Sequence, residues 1–206
     1  MSTAERETLA KIHKVAEQEF LQKGFKGASL RIIVKEAGVT TGAFYGYYKS
    51  KEELFDALVS PHANYILNYY DDVKASFDSL SKEEQIKVMS GYGKTYMEDV
   101  LKYSYEHLSG IKLLLLSSSG TKYEDFTHQM VEKEIQGKYD FAEAMKQMGM
   151  HVPTFNPRFE HTITSGMFNS YFELIIHDVP YEEAKECAQS IYQFYSAGWE
   201  ACMGLV

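Results

Sequence analysis

Residues 29–54 constrain the fold more than any other part of this 206-residue chain. Four apolar residues recur there at spacings of three and four: Leu30, Ile33, Val34 and Ala37. This spacing predicts a short helix with one apolar face, and Ser29 is its expected N-cap. Gly38 stands where that helix must end sharply, often with a positive φ. Thr40 is placed to cap a second short helix, so the stretch predicts two helices joined by a short turn.

The second of these helices has one apolar side and one small, polar side. Phe44 and Tyr48 lie four residues apart and are expected to face inward. The other residues include no acid: Thr41, Gly42, Ala43, Tyr45, Gly46 and Tyr47. Ser50 and Glu53 fit a capping box that opens a third helix, and Lys49 precedes its N-terminus, where backbone N–H groups favour phosphate. Two helices joined in this way have the form of a helix-turn-helix DNA-binding motif.

The segment resembles the DNA-binding domain of the tetracycline-repressor (TetR) family of transcriptional regulators. The matching elements lie within about residues 5–58: Gly24-Phe25, Ser29-Leu30-Arg31-Ile32-Ile33, Ala37-Gly38-Val39, Thr40-Thr41-Gly42-Ala43-Phe44-Tyr45, Tyr47-Tyr48-Lys49 and Ser50-Lys51-Glu52-Glu53-Leu54. The resemblance implies an all-α protein of about nine helices. Residues 1–58 would form the helix-turn-helix domain, and residues 59–206 a helical effector-binding and dimerisation domain.

The resemblance also implies a function. We expect a ligand-responsive regulator, a repressor that a small lipophilic or aromatic effector releases from a pseudo-palindromic double-stranded DNA operator. The alternative is a transcriptional activator, or a family member whose reader domain contacts a protein instead of DNA.

The expected DNA contacts cover the two short helices and the start of the third: Ser29, Arg31, Thr40, Thr41, Gly42, Ala43, Tyr45, Tyr47 and Lys49. Two positions depart from the family pattern. Thr41 stands where Lys or Arg often precedes the helix glycine, and Gly46 stands where His, Asn or Arg often follows the tyrosine. Because the second helix carries no Arg, Asn or Gln, it lacks a bidentate partner for guanine or adenine edges. We therefore predict recognition weighted toward phosphate contacts and DNA shape.

Charge and composition agree with a protein that touches DNA at one end. Residues 1–55 carry nine Lys and Arg against seven Asp and Glu, whereas residues 56–206 carry twelve against twenty-two.

The sequence shows no apolar run of about 18 residues and no basic segment followed by an apolar one, so we predict neither a membrane span nor a signal peptide and expect a cytoplasmic protein. Cys187 and Cys202 should lie about 22 Å apart on one helix, too far for a disulfide, and are interpreted as reduced thiols.

The rest of the chain predicts helices only. The helix opened by Ser50 is expected to end near Val59, with a kink or restart at Ser60-Pro61. Thr121 and Glu124 are predicted to cap a helix that ends near Gly149. A helix from Asn156-Pro157 and a last helix from Tyr181 to Met203 are predicted to form a hairpin.

That hairpin is the expected dimer interface. Its two arms carry apolar stripes relieved by small residues, and the resemblance implies pairing with the same helices of a second copy. The candidate interface residues are Ile163, Met167, Ser170, Tyr171, Leu174, Ile191, Phe194 and Gly198. A two-fold homodimer could hold two recognition helices about 34–36 Å apart. Closure of the core of a single subunit is the alternative.

The middle helices are rich in aromatic residues and methionine, which suit an adaptable pocket for a lipophilic or flat ligand. The candidate pocket residues are Tyr65, Tyr69, Tyr92, Tyr96, Met97, Tyr103, Phe126, Met130 and Met145. A cationic ligand would also fit if Glu98, Asp99 or Glu106 reached this pocket.

Signals for catalysis are missing from the sequence. HExxH, CxxC and glycine-rich phosphate loops do not occur. Glu173 and His177 are four residues apart rather than in the Glu-x-x-His spacing of di-iron bundles. His107 and His161 each stand beside a glutamate and are interpreted as solvated or hydrogen-bonded. We therefore predict no enzyme activity, no cofactor and no bound metal.

Overall fold

A computed structural model describes residues 2–204, apart from the side chain of Ser90. These residues contain helices and loops but no strand, which confirms the predicted all-α class. Nine helices occur within this range: α1 (Thr3–Gly27), α2 (Leu30–Glu36), α3 (Thr41–Tyr45), α4 (Lys51–Asp78), α5 (Lys82–Glu106), α6 (Leu108–Leu116), α7 (Phe126–Gln147), α8 (Pro157–Ile176) and α9 (Tyr181–Met203). None of them is both long and apolar enough to cross a membrane.

The chain divides into two compact units, and each is made of two separate stretches. The first unit comprises Met1–Tyr65 with His107–Phe126, and the second comprises Ile66–Glu106 with Thr127–Val206. The boundary at residue 65 falls inside α4, and α6 packs with the first unit although α5 separates them in sequence. A functional division after residue 58 stays a prediction.

Aromatic residues form the core of the first unit. Phe20 of α1 is fully buried, and its ring meets that of Phe55 edge-on at a centroid distance of 5.0 Å. Gly24 interrupts α1 with a φ of +65°. Directly after α6, the Ser117 hydroxyl donates to the Phe20 carbonyl at 2.9 Å, and the Ser117 carbonyl accepts from the Phe25 N–H at 2.9 Å. These two hydrogen bonds fasten the end of α6 to α1.

Buried tyrosines cross-link the helices of the second unit. Tyr171 of α8 is 1% exposed and donates to the Met97 carbonyl of α5 at 2.8 Å. Tyr105 donates to the Val179 carbonyl at 2.5 Å, in the short connection between α8 and α9. The two last helices pack against each other, which confirms the predicted hairpin.

Two predicted helix boundaries were wrong. The helix opened by Ser50 does not stop or restart at Pro61 but continues to Asp78. Thr121 and Glu124 lie in a turn before α7, which begins only at Phe126, and the Glu124 carboxylate accepts from the Gly120 N–H at 2.8 Å. The helix start at Asn156 is confirmed, since its side chain accepts a hydrogen bond from the Arg158 N–H at 2.9 Å.

Candidate nucleic-acid interface and ligand cavity

Local signals hold α2 and α3 in place. Ser29 occupies the N-cap position of α2, but its side chain makes no capping hydrogen bond; its N–H donates to Glu19 Oε1 at 3.0 Å. Gly38 has a φ of +67°, as its place at the turn predicts. The Thr40 hydroxyl accepts from the Ala43 N–H at 3.1 Å and so caps α3, as predicted.

The inward face of α3 rests on Phe44, which is fully buried. Tyr48 lies just beyond the five-residue helix, with its ring centroid 6.0 Å from that of Phe44. Its hydroxyl lies 2.5 Å from Nε2 of His13, and burial lowers the pKa of His13. The imidazole is therefore neutral at neutral pH and able to accept this hydrogen bond.

Most of the residues proposed for DNA contact are exposed and lie between positions 31 and 49. The exposed ones, which together are called the reader face, are Arg31, Thr40, Thr41, Gly42, Ala43, Tyr45 and Lys49. Ser29 and Tyr47 are half-buried, and the Tyr47 hydroxyl donates to the Glu5 carbonyl at 3.3 Å. Ile32, which the sequence did not single out, is 45% exposed.

Two lysines near the start of α4, Lys49 and Lys51, have different roles. The Ser50 hydroxyl accepts from the Glu53 N–H at 3.2 Å, while the Glu53 carboxylate accepts from the Lys49 N–H at 2.5 Å rather than from Ser50. Lys49 keeps an exposed side chain. The Lys51 ammonium instead donates to the carbonyls of Phe25 and Ala28, at 2.7 and 3.0 Å. Lys51 thus provides hydrogen bonds to backbone carbonyls at the C-terminal end of α1. Lys49, whose side chain is exposed, can instead contact a phosphate.

A cavity of about 440 Å³ lies within the second unit, in the size range of small-molecule sites. Of the nine predicted pocket residues, Tyr92, Tyr96 and Met97 line it. The other six do not: Tyr65, Tyr69, Tyr103, Phe126, Met130 and Met145. Three of these are core residues at most 2% exposed: Phe126, Met130 and Met145. Tyr65 and Phe126 belong to the first unit.

Charged residues also line the cavity, but not those considered from the sequence. Glu98, Asp99 and Glu106 are absent from its wall, so they give no support for a cationic ligand. The acidic residues in the wall include Glu134 and Glu160.

Lys138 is the central polar group of this cavity. Its ammonium donates to the Thr164 hydroxyl at 3.1 Å, lies 3.8 Å from a Glu134 carboxylate oxygen and stands 4.2 Å from the centroid of the Trp199 ring. Burial lowers the pKa of Lys138, although Glu134 acts against that shift. The indole N–H of Trp199 is buried and has no hydrogen-bond acceptor among the described residues. The Lys138 cation and the Trp199 indole N–H therefore form a polar corner of the cavity wall.

The residues proposed for the dimer interface differ in exposure. Met167 and Tyr171 are 8% and 1% exposed and belong to the core of the second unit, so little of either side chain is left for a partner to contact. Phe194 of α9 is 74% exposed, the largest exposure among the large apolar residues described. The remaining candidates are half-buried or exposed: Ile163, Ser170, Leu174, Ile191 and Gly198.

Comparison with known proteins agrees with this architecture. Residues 12–58 match the family model of bacterial regulatory proteins, tetR family. Over 54 residues the chain is 41% identical to the uncharacterized HTH-type transcriptional regulator YdgC of Bacillus subtilis (strain 168), a match that spans 26% of this chain and only 28% of YdgC.

Solved structures extend the likeness of fold to most of the chain. A member of the TetR transcriptional regulator family from Streptomyces coelicolor A3 superimposes with a TM-score of 0.57 at 19% identity, covering 89% of this chain and 88% of that one. The TetR family transcriptional regulator PfmR from Thermus thermophilus gives 0.56 at 14% identity, covering 95% and 96%. Residues 12–58 therefore carry the helix-turn-helix sequence of the tetR family of bacterial regulatory proteins, and the described helices share the fold of these solved structures.

Proposed function

We propose that this protein is a ligand-responsive transcriptional regulator that binds operator DNA through the reader face and acts in the cytoplasm as a homodimer. The supporting observation is the exposed, acid-free surface of α3, anchored by the buried Phe44 within the segment that matches the family. A surface without acids can approach phosphate without like-charge repulsion.

The reader face divides into groups that hold the DNA backbone and groups that meet bases. Arg31 and Lys49 carry exposed cations for phosphate, and Tyr45, 53% exposed, offers a hydroxyl donor. Thr41 and Ala43 present a hydroxyl and a methyl group to base edges, where they support single hydrogen bonds or contact with a thymine methyl. Thr40 has a second duty, because its hydroxyl caps α3.

Salt-dependent binding to the intergenic DNA upstream of this protein's own coding sequence tests the DNA-binding proposal. Fluorescence anisotropy should give log affinity that falls linearly with log salt concentration, with a slope equivalent to several phosphate contacts. Lys49→Ala and Arg31→Ala should each lower the magnitude of that slope by about one and weaken binding to all DNA sequences alike. Lys82→Ala, at an exposed lysine outside the reader face, is the charge-matched control. Equal losses for Lys82→Ala and Lys49→Ala would contradict the assignment.

A randomised operator library tests the base-reading residues. Thr41→Val should change sequence preference, and Thr40→Ser should keep the cap and hence the fold. No single G·C pair under α3 should dominate, since bidentate readout of about 1–3 kcal/mol per base has no side chain to provide it. A dominant G·C position would overturn the proposed phosphate- and shape-weighted recognition.

The effector is proposed to occupy the cavity of the second unit. Its aromatic wall favours a flat, lipophilic molecule, and the polar corner of Lys138 and Trp199 favours one that carries a carboxylate or carbonyl. An acceptor on the ligand would give the Trp199 N–H the partner that it lacks, a gain of about 1–3 kcal/mol. The ligand then alters DNA affinity only to the extent that it binds one conformation of the protein better than the other.

A matched pair of aromatic probes tests this ligand chemistry. Naphthoate should raise the melting temperature more than naphthylmethylamine, which has the same ring system but carries a cation. Trp199→Phe keeps an aromatic wall and removes the donor, and Lys138→Met removes the cation at similar length; both should reduce the response to naphthoate. A larger response to the amine, or an unchanged response to naphthoate in both variants, would contradict the proposal. A change in operator affinity with naphthoate would support coupling between ligand and DNA.

A further inference from the structure

Two histidines and a glutamate come together on the second unit, and none of the three lines the cavity. His128 and Glu132 are one turn apart on α7, and His161 is on α8. Each residue offers one ligand atom, and these atoms all lie within 4.8 Å of one another. Two of the residues are exposed and His161 is half-buried, so solvent ions can reach the cluster.

The Glu132 carboxylate lies too far from either histidine for a normal hydrogen bond. Glu132 Oε1 lies 3.4 Å from His161 Nδ1 and 3.9 Å from His128 Nε2. An N–H···O hydrogen bond to a carboxylate is usually about 2.7–3.2 Å long. Ligand atoms bound tetrahedrally at about 2.1 Å from one zinc ion are about 3.4 Å apart. The first distance already has this value, and the second is 0.5 Å longer, at a His128 ring that is exposed.

The geometry points to a binding site for a divalent transition metal of the Zn²⁺ class, formed by His128, Glu132 and His161. Two imidazoles and one carboxylate suit Zn²⁺, Co²⁺ or Ni²⁺, and their exposure leaves at least one coordination position for water. Because the ligands come from two helices, a bound ion would link α7 to α8. The His-x-x-x-Glu spacing on α7 is visible in the sequence, but only packing reveals that His161 completes the set.

Titration of the tag-free full-length protein with Co²⁺ and with Zn²⁺ tests this site. Inner-sphere ligation by imidazole produces visible d–d absorption of Co²⁺, which a purely electrostatic effect on a surface pair does not. We expect one equivalent of Co²⁺ per chain to bind, Zn²⁺ to displace it, and Zn²⁺ to raise the melting temperature. His128→Ala and His161→Ala should each weaken affinity at least about tenfold, and Glu132→Gln should do the same with little change of shape.

His177→Ala provides the matched control. His177 Nε2 lies 2.7 Å from the Glu173 carboxylate at the same one-turn spacing, and both side chains are more than half exposed. This pair belongs to no group of three potential ligands among the described residues. The wild type and His177→Ala should therefore bind alike. Absence of the Co²⁺ spectrum in the wild type, or an equal loss in His177→Ala and His161→Ala, would overturn the site.

Discussion

Gly110 of α6 lies close to His62 of α4, and replacing the glycine by alanine tests that contact. A Cβ on Gly110 would lie 2.1 Å from Nε2 and 2.2 Å from Cδ2 of His62. Atoms at such distances overlap strongly, since favourable contacts begin at about 3.5 Å. The His62 ring also packs against the ring of His107 at a centroid distance of 5.2 Å. His62 cannot move away without disturbing that second contact.

Two opposing terms set the expected size of the effect. Forcing an additional methyl group into packed structure costs about 1–3 kcal/mol. Alanine in place of glycine inside a helix returns up to about 1 kcal/mol. Gly110→Ala should therefore lower the free energy of unfolding by roughly 0–3 kcal/mol. Gly91→Ala in α5 is the control, because a Cβ there would meet nothing within 4 Å. That control should raise the free energy of unfolding by about 0.5–1 kcal/mol.

Urea denaturation followed by circular dichroism measures both variants. The difference between them, about 1–3 kcal/mol, isolates the steric cost. In a His62→Ala background the same difference should vanish, since the clashing ring is gone. If Gly110→Ala proved as stable as Gly91→Ala in the wild-type background, the close packing of α6 on α4 would be refuted.

Three further predictions concern pH, assembly and the reader face. Burial lowers the pKa of His13 and of His62 from 6.5, so below about pH 6.5 the unfolded state binds more protons than the folded state. The free energy of unfolding should consequently fall as pH drops below that value and stay flat just above it. Urea titrations between about pH 5 and 8 measure this dependence. Greater stability at about pH 5 than at about pH 7 would contradict it. Phe194→Asp should raise the dissociation constant of the dimer by about two to four powers of ten, since each of the two phenyl rings contributes about 1.5–3 kcal/mol when buried. An unchanged mass in sedimentation equilibrium would exclude Phe194 from the interface. Gly42→Ala should leave the melting temperature unchanged or raise it while weakening DNA binding in anisotropy, and unaltered affinity would show that the DNA does not approach this glycine.

The helix-turn-helix was predictable from sequence because its determinants are local. The positive φ of Gly38, the cap at Thr40 and the buried Phe44 lie within seven residues of one another. None of them depends on a partner that is remote in sequence. Each residue fixes its own part of the turn, and so the pattern alone was sufficient.

At Pro61 the helix-breaking tendency of proline is outweighed by burial of the neighbouring side chains. Proline inside a helix removes one hydrogen bond and costs about 3 kcal/mol. Leu58, Val59 and Ala63 are each at most 7% exposed, and they keep one helical register across the proline. Burial of large aliphatic side chains contributes about 1.5–3 kcal/mol each, so continuing the helix is favoured over breaking it. The sequence shows the proline, but not how deeply its neighbours are buried.

The cavity could not be located from periodicity because core and cavity walls share the same residues. Met130 and Met145 recur on α7 as pocket residues would, yet they are 1% exposed and fill the core. Lys138 lies on the same helix, where the sequence pattern alone does not distinguish it from a surface charge. Packing of α7 against α9 brings it to Trp199, more than 60 residues away in sequence, and creates the polar corner.

Gly42 inside α3 and Gly46 at its C-cap have different surroundings. At Gly46 a Cβ would stand 3.2 Å from the Ala43 carbonyl oxygen, a tight contact with the preceding turn. At Gly42 a Cβ would meet nothing within 4 Å, and alanine would extend the helix more favourably. Packing among the described residues therefore gives no reason for glycine at position 42. A helical glycine that the fold does not require leaves room for another molecule to approach the helix backbone closely. Because α3 itself lacks bidentate side chains, such an approach favours backbone contact and DNA shape as the basis of the proposed recognition.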